Sequence, residues 1–97
     1  MIEIDVHCAE IAAGWRCAVR VSDGRGTSEH EVTVTAADAD TLAAAHDQTG
    51  VERLIEETFD FLLEREPKES ILTAFDIDVV GRYFPEYEHE IRSRLAP

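Results

Sequence analysis

His7, Cys8, Cys17 and His30 are the residues of this chain best suited by type to do chemistry. Two imidazoles and two thiols make a zinc donor set, and a thiol beside an imidazole makes a nucleophile–base pair. Spacing argues against both. Neighbours along a β-strand point to opposite faces, so Cys8 turns inward and His7 outward. Cys17 and His30 share an inward face, with no third group to orient the imidazole and no turn to hold an oxyanion. The chain contains neither C-x-x-C nor H-x-x-x-H. No metal and no cofactor are expected. A Cys8–Cys17 bridge is conceivable between neighbouring strands, but in a reducing cytoplasm both thiols are expected free, as small core residues. Carboxylate pairs such as Asp76/Asp78, Glu56/Glu57 and Glu64/Glu66 carry little meaning in a chain with 21 acidic residues. Catalysis is therefore not the leading expectation. The alternative that keeps it open is a small enzyme or ligand-binding protein, with a pocket between sheet and helices lined by Trp15, Cys17, His30 and Tyr83.

The elements that must hold these residues are legible from periodicity. In "MIEIDVHC" the positions Ile2, Ile4, Val6 and Cys8 are apolar and alternate with Glu3, Asp5 and His7. "GWRCAVRVSD" sets Trp15, Cys17, Val19 and Val21 on one face, and "TSEHEVTVT" does so with Val32 and Val34. The "DGRG" between them is a hairpin signal, because its glycines take positive φ cheaply. A turn centred on Gly24 and Arg25 places Arg20 opposite Glu29 and Ala18 opposite Glu31. The outer face then reads as a solvated sheet surface with paired charges.

From residue 36 the period becomes helical. Thr35 and Asp38 suit the start of a short helix, and "TGVE" reads as a capping box with Thr49 as N-cap and Glu52 three residues on. The following helix carries Val51, Leu54, Ile55, Phe59, Leu62 and Leu63 in one stripe. Phe61 widens that stripe, so a second surface must cover it: the C-terminal segment or another subunit. Pro67 bounds the helix, Asp76 is a candidate N-cap, and Pro85 suits the first position of a final helix. In that helix Tyr87, Ile91 and Leu95 recur every four residues, with Glu88–Arg92 and Glu90–Arg94 on the wet side.

The expected fold is one α+β domain over 1–97. A three-stranded antiparallel meander (about 1–8, 14–22 and 27–35) is followed by three to four helices packed on one sheet face. Those helices span about 36–46, 50–66, 68–75 and 76–95, the last broken at Pro85. The string "FLLEREPKESIL", then "FD", then "RYFPEYE" resembles the C-terminal signature of a group of small bacterial proteins; the resemblance implies no activity and transfers no functional residue.

Charge narrows the function classes. Against 21 acidic residues stand 9 basic ones, a formal net charge of -12. Such a surface repels phosphate backbones and anionic membranes, so neither nucleic acid nor membrane is an expected partner. The N-terminus is acidic where a secretory signal carries positive charge, which points to the cytoplasm. Arg65, Arg82, Tyr83 and Tyr87 stand among the apolar groups of the C-terminal third without an obvious packing role, and Tyr and Arg are enriched at interface hot spots. The leading expectation is a non-catalytic acidic module that binds or regulates a protein partner with a basic surface. A homodimer is a second possibility, by strand addition or through the helix around Phe59 and Phe61.

Overall fold

The structure is a computed structural model that describes residues 1–96. Strands β1 (Glu3–Ile11), β2 (Gly14–Asp23) and β3 (Gly26–Thr35) form the antiparallel meander. Helices α1 (Ala36–Ala43) and α2 (Gln48–Leu63) follow, then a 3-10 turn (Lys68–Ser70), a short strand β4 (Ala74–Asp76), and helices α3 (Asp78–Tyr83) and α4 (Tyr87–Leu95). The sheet order is β1-β2-β3-β4, with β4 parallel to β3. Among the described residues no helix is long and apolar enough to cross a membrane.

The register follows from the two hairpin turns. Gly24 and Arg25 bridge Asp23 and Gly26, which sets Arg20 opposite Glu29 and Ala18 opposite Glu31. Asp23 stabilises this turn by accepting the Arg25 N–H at 2.8 Å. The β1–β2 turn closes between Ile11 and Gly14. Gly14 has φ +157°, and a Cβ there would lie 2.1 Å from the Val34 carbonyl oxygen, so only glycine fits. On the outer face Arg16–Glu31 and Arg20–Glu29 pair at 4.0 Å. Their side chains are more than half exposed, so each pair contributes at most about 1 kcal/mol.

The inner face carries Cys8, Cys17, Val19, Val21, Val32 and Val34, all buried. Cys8 and Cys17 are direct cross-strand partners and form a disulfide, which corrects the expectation of free thiols. The reason is register: alternation put both side chains on the inner face, and pairing set them opposite each other with Cα atoms 4.0 Å apart. The Cys8 N–H, turned to the outer edge of β1, donates to Glu52 on α2 at 2.8 Å. That bond, aided by Gln48 and by nearby His7, holds the Glu52 carboxyl below its ordinary value of 4.5.

This use of Glu52 removes one half of the expected capping box. The N-cap of α2 is Asp47, not Thr49: its carboxylate accepts the Gly50 N–H at 2.8 Å. Thr35 caps α1 as expected, accepting the Asp38 N–H at 3.0 Å. Helix α2 buries Val51, Leu54, Ile55, Phe59 and Leu62, with Phe61 facing α4. Phe61 meets the rings of Phe84 at 5.7 Å and Tyr87 at 5.2 Å. The C-terminal segment is thus the second surface that covers α2. Phe59 and Phe61 are each 0% exposed, so they are unavailable to a dimer interface, contrary to that expectation.

The expected helix over 68–75 is replaced by the 3-10 turn and β4. Phe75 pairs with Val32 and Asp76 with Thr33, extending the inner and outer faces by one strand. Asp76 does not cap a helix, because its carboxylate accepts the Thr33 hydroxyl proton across the β3–β4 pair. The final helix starts at Tyr87 rather than Pro85.

Candidate binding groove

The four residues singled out for binding do not share one surface. Tyr87 is 2% exposed. Its neighbour Thr58 donates its only hydroxyl proton to the Leu54 carbonyl at 2.8 Å, so the Tyr87 hydroxyl must donate to Thr58 across their 2.7 Å contact. Tyr87 is a core residue, and its assignment to a binding surface is corrected on that ground. Arg65 is committed as well. Its guanidinium lies 3.5 Å from the centroid of the Phe61 ring, donates to the Phe61 carbonyl at 3.0 Å, and pairs with Glu86 at 3.5 Å. It clamps the end of α2 to the start of α4. Arg82 is exposed and pairs with Asp78 at 2.9 Å, one turn back on α3. Tyr83 alone presents a large apolar body to solvent, at 71% exposure.

Tyr83 stands on the wall of a groove of about 400 Å³. Leu62 from α2, Leu72, Phe75 from β4, and Val79, Val80 and Phe84 from the α3 segment line it. Leu72 is 51% exposed. The groove opens where the sheet ends: Phe75 continues the inner face beyond Val32, and among the described residues no further strand covers it. Glu66 and Ser70 supply its polar rim. Among the lining residues Glu66 is the one carboxylate, so no carboxylate pair converges here.

His30 positions one wall. Its ring packs against Phe59 at 5.3 Å, and its Nδ1 lies 2.8 Å from the Leu72 carbonyl. A carbonyl only accepts, so Nδ1 carries the proton; in the neutral ring Nε2 accepts from the Ser28 hydroxyl at 2.8 Å. The histidine thereby ties β3 to the segment that carries Leu72. Lys68 anchors the other end of that segment. This 5% exposed lysine donates to Asp23 at 3.1 Å and pairs with Glu69, fixing the 3-10 turn to the β2–β3 hairpin.

The alternative pocket lined by Trp15, Cys17, His30 and Tyr83 is not assembled. Cys17 is bridged to Cys8 and fully buried, His30 is spent on Leu72 and Ser28, and Tyr83 faces the groove from α3. Trp15, partly buried against the core, lies opposite Val34 and does not line the groove. Among the described residues no group of three or more His, Cys, Asp or Glu side chains is placed to hold a metal ion.

Sequence reasoning missed the groove because it assigned Leu72 and Phe75 to a helix. A signal was present: Phe75 and Ile77 alternate with Ala74 and Asp76, a period of two. No protein-family model matches the chain, and no curated protein or solved structure matches it either.

Proposed function

We propose that this chain is a non-catalytic binding module that recognises a basic segment of a partner protein at the groove beside β4. The observation that carries this reading is the pair of exposed apolar side chains, Tyr83 and Leu72, facing an apolar groove on a molecule of net charge -12. Aromatic side chains over a desolvated pocket are the usual anchors of an interface. The acidic surface steers a cationic partner and disfavours anionic ones.

The local charge supports the same reading. Residues 61–90 carry eight carboxylates against three cations. All three cations, Arg65, Lys68 and Arg82, are in ion pairs. Glu66, on the groove rim, is in no ion pair among the described residues. Pairing two copies through β1 is a weaker arrangement, because each copy brings the same negative charge.

The proposal sets this encounter in the cytoplasm. The disulfide is unusual for a reducing compartment and requires an oxidant to form; once formed, it is shielded, because Cys8 and Cys17 are 1% and 0% exposed. A reducing thiolate reaches the sulfurs only after the sheet opens.

Selection from a displayed random-peptide library tests the reading. Enriched sequences are expected to combine Arg or Lys with apolar anchors, to elute at about 0.5 M salt, and to be lost on the Tyr83→Ala protein. Enrichment of acidic sequences, or equal recovery on Tyr83→Ala, contradicts it.

A further inference from the structure

We propose that the partner segment binds as an added strand: an extended, Arg- or Lys-rich stretch pairs with the open side of β4 and seats alternate apolar side chains in the groove. This rests on the binding-module reading and specifies its mode.

The backbone of β4 argues for it. Glu31 N–H donates to the Thr73 carbonyl at 2.8 Å, and Ile77 N–H donates to the Thr33 carbonyl at 2.9 Å. In a parallel pair the groups that face one neighbour alternate along the strand. Residues 73, 75 and 77 therefore face β3, and the N–H and C=O groups of Ala74 and Asp76 face away from it. Strand β4 is last in the sheet order, so these groups look outward. Both residues are exposed.

Side-chain geometry points the same way. A new strand would lie about 4.8 Å beyond β4, with every second side chain on the inner face. That is the face on which Phe75 sits, and Phe75 lines the groove together with Leu72 and Tyr83. A helix would fill the groove but leave the Ala74 and Asp76 backbone unused, whereas a strand uses both features. The remaining side chains of that strand would lie on the outer face beside Asp76 of β4, where cationic residues are favoured.

The short length of β4, three residues, limits the backbone contribution. Affinity must then come from the groove anchors and from charge, which predicts modest, salt-sensitive binding.

The test is an NMR titration of the labelled chain with a blocked peptide of about ten residues that alternates Val and Arg. Two control peptides share its length: one with the same composition in separate Val and Arg blocks, and one alternating Val and Glu. The alternating Val–Arg peptide should slow hydrogen exchange of the Ala74 and Asp76 amides by about tenfold or more and bind about tenfold tighter than either control. Ala74→Pro removes an N–H that faces away from β3, so the fold tolerates it while strand addition is lost. Binding to Ala74→Pro should fall about tenfold. If Ala74→Pro binds normally while Tyr83→Ala and Leu72→Ser weaken binding, strand addition is wrong and the groove reading stands. If none of the three variants changes binding, both readings fail. Should Ala74→Pro not fold, exchange at Ala74 and Asp76 in the unaltered chain decides: protection supports strand addition, and its absence overturns it.

Discussion

Tyr87 shows how one side chain can be mistaken for a site. Its type suits an interface, yet its hydroxyl is spent on Thr58 inside the core. Replacing it with phenylalanine should lower stability by about 1 kcal/mol in urea denaturation, the usual net value of one buried hydrogen bond. Burial pushes the Tyr87 hydroxyl well above its ordinary value of 10.0. The folded state therefore holds the proton more tightly than the unfolded state. Its contribution is complete below pH 10.0 and declines as pH rises above that value, so Tyr87→Phe should flatten the alkaline limb of a stability–pH profile. The disulfide makes a second residue-scale prediction. Closing a short loop across residues 8–17 stabilises the chain by about 2–3 kcal/mol. The Cys8→Ala/Cys17→Ala double variant should show that loss in the same assay. The intact chain should yield no free thiol to a thiol reagent under denaturing, non-reducing conditions.

At the scale of elements, the hairpins are governed by single positions. Gly14→Ala forces a Cβ into the Val34 carbonyl and should destabilise the fold by at least about 2 kcal/mol, read by thermal or urea unfolding. The three long strands were legible because alternation of Ile4, Val6 and Cys8, and of Cys17, Val19 and Val21, leaves one consistent face for burial. The covering of α2 was legible in part: Phe61 required a second surface, but periodicity does not say whether that surface belongs to the same chain. β4 was not legible because three residues carry too little pattern, and their pairing with β3 spans some forty positions that local reading does not connect. The groove inherits that omission, since its position depends on where the sheet stops. Of its wall residues, Tyr83 was found by type, while Leu72 and Phe75 were lost in a helix that does not form. The α2 cap was misplaced for a related reason. Glu52 belongs to a long-range bond with Cys8, which the local capping pattern around Thr49 cannot register.

For the whole molecule, charge should act in opposite directions on folding and on binding. Self-repulsion at -12 weakens the compact state, so thermal stability should rise as salt is added. Association with a basic segment should weaken over the same range, by about tenfold or more between 0.05 and 0.5 M salt. Parallel melting and binding curves check both signs on one sample. The central claim, that a basic protein segment occupies the groove beside β4, is tested most directly by native mass spectrometry. The tagged chain and its Leu72→Ser/Tyr83→Ala variant would be recovered from the source cells at low salt. The account predicts a stoichiometric basic polypeptide on the unaltered chain that is absent from the variant. The same polypeptide retained equally by both, or a small-molecule mass in its place, contradicts it.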